Sequence, residues 1–271
     1  MGKWVVRCAP ELSPQGEDLR VDFDRHLDVL RSEGERLVTA ASRPGFDAAV
    51  PTCPGWTVRD LVRHVGGIHR WAGTIVREAR PRPFDPFPEL ESAWPADEEL
   101  LEWFREGHRN LVQALSDAPA SLECFTLFKA ESARAFWARR QAHETGMHRS
   151  DAESASGAIT PFGVDQAVDG IDELLFGFLG RAGSRLKTDR SQTLWLHADD
   201  DSADQDWTIN VSADEPRVSR EAAPKANCRV AASASDLFLF LWNRIGAERL
   251  QVEGDAGVLE LWRQSVQVRW R

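Results

Sequence analysis

The chain has 271 residues, 42% of them hydrophobic and 28% charged, which is enough to bury one large core or two modest ones and excludes wholesale disorder. Its formal net charge of −10 sets it against a nucleic-acid phosphate backbone and against an anionic membrane surface. No apolar run reaches the length of a membrane span, and the apolar patch near Met1 is too short for a signal peptide, so a cytoplasmic protein is expected.

Residues 1–18 read as an irregular, proline-containing arm. Phe23, Leu27, Leu30, Leu37 and Ala41 then recur at three- and four-residue steps, the pattern of an amphipathic helix. A loop from Pro51 to Gly55 leads to Thr57, a good N-cap, with Asp60 in the first turn of a second helix that reaches about Arg80. Pro81, Pro83, Pro86, Pro88 and Pro95 make a stiff connector expected to be non-helical. Asp97 is expected to cap a third helix through Leu115. A fourth runs from about Ser132 to Ala155, and a fifth from about Val164 to Ala182.

The period changes after Ser191. Leu194 and Leu196, then Trp207, Ile209 and Val211, then Cys228, Val230 and Ala232 alternate with their neighbours as half-buried strands do. Asp236 is expected to cap an apolar helix to Ile245. Residues 250–254 read as a short strand, and Asp255 starts a last helix. Helices followed by strands imply two units: a helical bundle over 19–186 and a smaller C-terminal α+β domain over 187–271. The cysteines Cys8, Cys53, Cys124 and Cys228 are too far apart in sequence for a C-x-x-C motif.

The fourth helix carries Gln141-Ala142-His143-Glu144-Thr145-Gly146-Met147-His148-Arg149-Ser150-Asp151. Glu144 and His148, four apart, stack on one face, which they share with Trp137 and Met147. A carboxylate on a partly inward face needs a positive partner, and a metal ion would meet both side chains. The alternative is an ordinary Glu–His pair on a wet face. A third ligand would come from another helix. His64 and His69 both flank the apolar stripe of the second helix, and helical angle does not choose between them. His26, His108 and His197 add no further pattern.

Three stretches resemble the mycothiol-dependent maleylpyruvate isomerase-like family, a branch of the DinB-like bundle superfamily. They are Pro54-Gly55-Trp56-Thr57 with Leu61 and His64; Arg140 to Thr145 with His148, Arg149 and Asp151; and Leu239 to Arg244 followed by Leu250 to Asp255. The resemblance spans most of residues 20–265. It implies a DinB-like four-helix bundle followed by a sterol-carrier-like α+β domain. It also implies a divalent metal, usually zinc, held by His64, Glu144 and His148, with an open position that serves the thiol cofactor mycothiol. Arg244 matches a catalytic arginine of the family, although Asn243 stands where the family often has glycine. Arg149 and Asp151 are expected to orient His148 from behind. Nothing in the motifs identifies the residues that hold the thiol.

The activity implied is attack by a metal-bound thiolate on a small electrophile, isomerase-like if the thiol is returned. The alternatives are a mycothiol S-transferase of detoxification or specialised metabolism and a non-catalytic protein that binds a metal or an apolar ligand. The partners expected are a small electrophile and a low-molecular-weight thiol, with neither nucleic acid nor membrane, for a monomer or homodimer. The long connector at 81–95 argues for a substrate other than maleylpyruvate.

Overall fold

Residues 23–179, 184–200 and 203–266 are described by a computed structural model of the chain. The arm expected over 1–18 and the last residues of the fifth helix lie outside the described residues. In chain order, the first half contains α1 (Phe23–Ala41), α2 (Val58–Arg77), α3 (Phe87–Ser92), α4 (Asp97–Asp117) and α5 (Ala133–Ser154). After α6 (Val164–Asp172) comes a π-helical turn, Glu173–Phe178. The second half contains β1 (Gln192–Asp200), β2 (Ala203–Val211), β3 (Arg217–Ser219), β4 (Cys228–Ala232), α7 (Ala234–Leu241), β5 (Gln251–Gly254) and α8 (Gly257–Ser265).

The four long helices α1, α2, α4 and α5 form the bundle. Its apolar core is split in two. One cluster joins Leu30, Ile75, Leu111 and Trp137, and the other joins Leu37, Leu61, Phe104 and Ala152. Between them lies a polar layer containing Glu33, His69, His108, Glu144, Thr145, His148 and Arg149, all buried. The helices approach closely there: a Cβ on Gly34 would sit 2.3 Å from the His108 ring. α5 is the central rod, and from Phe136 to Ala152 every residue except Arg139 is buried. A helix buried all round needs no apolar stripe. Its polar residues must instead be matched by specific partners.

Local chemistry sets the helix starts. Thr57 and Asp60 close a reciprocal capping box on α2, a device worth about 1 kcal/mol. The connector contains a helix after all: α3 begins on Pro86-Phe87-Pro88, because proline in a first turn lacks only an N–H that has no partner there anyway. Asp97 is the first residue of α4 rather than its cap, and its carboxylate accepts two bonds from Arg59 at 2.7 and 2.6 Å. Ser233, not Asp236, caps α7; its Oγ accepts from the Asp236 backbone N–H at 3.1 Å.

The C-terminal sheet has the order β3-β2-β1-β4-β5, with only β1 and β4 parallel. Leu194 and Leu196 pair with Ile209 and Trp207, which places four buried residues on one face. α6, α7 and α8 supply the other side of this core through residues such as Val168, Phe238 and Trp262. β3 escapes sequence reading because three residues show no alternation. α6 contributes to this second core, and Phe162 N–H donates to Ser235 Oγ at 2.9 Å where the two units meet. Among the described residues no helix is long and apolar enough to cross a membrane.

Candidate metal centre

α2 and α5 bring His64, Glu144 and His148 together in the polar layer. Their candidate ligand atoms all lie within 4.8 Å of one another. His148 Nε2 is 3.3 Å and His64 Nε2 3.8 Å from the same carboxylate oxygen, Glu144 Oε1. Both His64 Nε2 and Glu144 Oε1 are buried and have no hydrogen-bond partner. Unpaired buried polar atoms are costly, and two that converge with a second imidazole nitrogen, His148 Nε2, fit a cation. Two imidazoles and a carboxylate suit a divalent ion such as zinc.

The other atoms of these side chains are fixed. Glu144 Oε2 accepts from Arg140 Nη2 at 2.9 Å, and Arg140 also pairs with Glu173. His148 Nδ1 lies 2.8 Å from Asp151 Oδ2, which leaves Nε2 as the nitrogen facing the centre. Burial opposes ionisation of Glu144, but the imidazoles of His148 and His64 and the charge of Arg140 outweigh it and hold the carboxyl well below its usual range. Burial also opposes the charge on His148, yet Asp151 and Glu144 raise it to about 9. Burial pushes His64 down.

Asp151 is itself held. It accepts from Thr52 Oγ1 at 2.6 Å and from Arg244 through Nε at 2.9 Å and Nη2 at 2.8 Å. Arg244 arrives from the end of α7, where Asn243 takes the left-handed φ of +61°. Asparagine is among the few residues other than glycine that tolerate that backbone. The guanidinium therefore reaches the site from the second unit, but it reaches it already engaged with Asp151. Cys53 Sγ lies 3.9 Å from Arg244 Nη2, its thiol pushed up to about 12, chiefly by burial and then by Asp151.

Two further expectations are corrected or resolved. Arg149 does not orient His148. One position along a helix turns a side chain by about 100°, and Arg149 instead binds Glu33 at 2.8 Å, Glu153 at 2.8 Å and the Thr160 carbonyl at 2.6 Å. His69 is occupied elsewhere, with Nε2 2.9 Å from Thr145 Oγ1 and its ring against Phe104 and His108. Gly146 makes room for a neighbouring segment: a Cβ there would approach Gln166 Nε2 to 2.9 Å and the Phe162 ring to 3.0 Å.

Helical angle alone places Arg140 near the face of Glu144 and His148, whereas sequence reasoning missed Thr52, Cys53, Trp56 and Phe87 as neighbours of the centre. Trp56 packs edge-on against His64 at 4.9 Å, and Phe87 stacks on the same imidazole at 5.9 Å. Trp56 stood inside a quoted motif; Thr52 and Cys53 come from the loop before α2 and Phe87 from the start of α3, which only the tertiary fold brings in. Beyond these rings opens a cavity of about 620 Å³, walled by Trp56, Asp60, His64, Asp85, Phe87, Glu91 and Trp94, among others. A second histidine pair, His26 and His143, meets Asp169 elsewhere against α5.

Comparison with known proteins agrees with this architecture. The family model described as mycothiol maleylpyruvate isomerase N-terminal domain matches residues 27–153, and the accompanying MDMPI C-terminal domain model matches residues 165–261. No curated protein sequence matches. Among solved structures, a histidine-to-alanine mutant of the mycothiol-dependent maleylpyruvate isomerase superposes with a TM-score of 0.61 at 13% identity, covering 86% of this chain and 93% of that one. The unmutated isomerase gives 0.59 at 13% identity with the same coverage. At that identity the likeness is one of fold.

Proposed function

The chain belongs to the mycothiol-dependent maleylpyruvate isomerase-like family, and we propose that it is a metal-dependent enzyme using mycothiol to attack a small electrophile. The observation that carries this reading is the pair of partnerless buried atoms, His64 Nε2 and Glu144 Oε1, beside a cavity wide enough for a thiol and a substrate. His64, Glu144 and His148 are the ligands. Three protein ligands are the pattern of a catalytic rather than a structural zinc site. A bound divalent ion supplies the Lewis acidity that favours the thiolate of a thiol whose free pKa is about 8.5.

The chain's own residues do the rest. Asp151 holds His148 in the tautomer whose Nε2 faces the centre. Against the burial that opposes it, the His148 and His64 imidazoles and, after them, Arg140 keep Glu144 ionised. Trp56 and Phe87 pack against the His64 imidazole and fix its ring at the mouth of the cavity. Arg244 serves the reaction as a positioning residue, because its guanidinium is spent on Asp151.

The test is metal analysis of the purified protein, followed by incubation of the metal-loaded protein with mycothiol and candidate electrophiles and mass analysis of the products. About one ion per chain, with thiol-dependent turnover, is expected. Isomer with the thiol unchanged identifies an isomerase, and a thiol conjugate identifies an S-transferase. A metal-free protein that neither binds zinc nor turns over any electrophile would defeat the reading.

A further inference from the structure

The cavity outside the centre carries a charge pattern that bears on what enters it. Its wall is contributed largely by the connector and α3, through Asp85, Phe87, Pro88, Glu91 and Trp94, with Asp60 and Trp56 opposite in sequence. The lining holds three carboxylates and no arginine or lysine. Of the two guanidiniums adjoining lining residues in sequence, Arg59 pairs with Asp47 and Asp97, and Arg63 is stacked on the Trp94 ring at 4.9 Å. Deeper in, Arg140 is shared between two glutamates and Arg244 is committed to Asp151. Among the described residues, then, a doubly negative substrate finds no unengaged cation in the lining and meets Asp60, Asp85 and Glu91 on its way in. The His64 ring belongs to the same lining while its partnerless, buried Nε2 turns inward toward Glu144 Oε1, which ties this cleft to the centre rather than to the bulk surface.

We propose that this cleft selects a positively charged electrophile, taking neutral ones less well and small dicarboxylates least. The inference rests on the proposed function and specifies its substrate class. Asp85 and Glu91 are the selecting groups: the Asp60 carboxylate serves the Thr57 cap, while Asp85, whose Oδ1 accepts the Phe87 N–H at 3.0 Å, is fixed at the wall of the cleft. Trp56 and Trp94 supply flat apolar walls for a conjugated body, and aromatic faces beside carboxylates favour cations over anions.

The experiment separates binding from turnover. Three unreactive ligands of one length are titrated into the metal-free protein, with quenching of tryptophan fluorescence and calorimetry as readouts: succinate, succinamide and 4-aminobutanamide, the last an ammonium cation at neutral pH. The expected order is ammonium tightest and dianion weakest, with a spread of at least about tenfold that narrows as salt is raised. In Asp85→Asn/Glu91→Gln the spread is expected to collapse to less than about threefold. Tightest binding of succinate, equal binding of all three by the unaltered protein, or an unchanged order in the double variant would overturn the proposal. The matching unsaturated series, run with mycothiol on the metal-loaded protein, tests the enzyme reading separately: charge-ordered binding without any turnover would defeat that reading and leave the cleft's selectivity standing.

Discussion

Two clusters against α5 hold the same inventory, two imidazoles and a carboxylate, and use it differently. In one, His64, Glu144 and His148 converge, yet His64 Nε2 and Glu144 Oε1 are left without hydrogen bonds. In the other, Asp169 Oδ2 accepts from His26 Nε2 at 2.9 Å, His143 Nε2 at 2.7 Å and Arg139 Nε at 2.9 Å. Arg139 also donates to the Asp169 carbonyl at 2.8 Å. A carboxylate oxygen with three donors, one of them a guanidinium, has no lone pair left for an ion and already has a cation beside it. The residue types do not separate a metal centre from a structural hub; the hydrogen-bond complement of the ligand atoms does.

The sharpest way to break this comparison is to remove one imidazole from each cluster and weigh the metal. His64→Ala and Glu144→Ala should each take metal content from about one ion per chain to near zero, measured by mass spectrometry after dialysis. His26→Ala and His143→Ala should leave it unchanged. Equal metal content in all four variants would mean that the orphaned atoms had been misread.

Stability should report the opposite cluster. Asp169→Ala strands two buried imidazoles and a guanidinium, and it should cost about 3–5 kcal/mol in urea unfolding while metal content holds. A loss below about 1 kcal/mol would mean that the hub binds α1, α5 and α6 together only weakly.

How much of this contrast was legible in the sequence follows from separation along the chain. Glu144 and His148 are one turn apart on one helix, so periodicity alone paired them. His64 was chosen over His69 only through its motif, since what disqualifies His69 is Thr145 on another helix. The hub was not visible at all: His26, His143 and Asp169 come from three helices with no local signal linking them. Arg149 misled because its place beside His148 in sequence says nothing of its direction, which α1 and the loop after α5 decide through Glu33 and Thr160. The helix order and the strands after Ser191 were readable from period, whereas α3 was hidden by its own prolines.

A subtler effect is expected behind His148. Asp151→Asn keeps the shape but removes the charge that holds His148 Nδ1 and receives Arg244. Metal affinity should fall by about 10–100-fold, the usual size for a carboxylate behind a ligating histidine. Chelator competition would measure it, with Arg244→Lys alongside to see whether a single ammonium can replace the two-pronged contact. If affinity is unchanged in both, the C-terminal unit does not tune the centre.

The smallest expected effect is a slope. Burial works against the charge on Asp169, but His143, His26 and Arg139 hold its carboxyl well below the ordinary value of 3.8. Below pH 3.8 the unfolded chain therefore takes up a proton at Asp169 that the folded chain refuses. The stability Asp169 contributes is complete above that pH and is lost as the pH falls through the lower, folded range. The difference in unfolding free energy between the unaltered protein and Asp169→Ala should accordingly be flat from neutrality to about pH 4. Below that it should shrink by up to about 1.4 kcal/mol per pH unit, the limit for one proton. Because Glu144 and Asp151 titrate in both proteins, subtracting the two curves leaves the Asp169 cluster, that is Asp169 with the His26 and His143 imidazoles bonded to it. A difference that stays constant down to pH 2 would show that the cluster holds its shape without the charge, and the two clusters would then differ less than their hydrogen bonds imply.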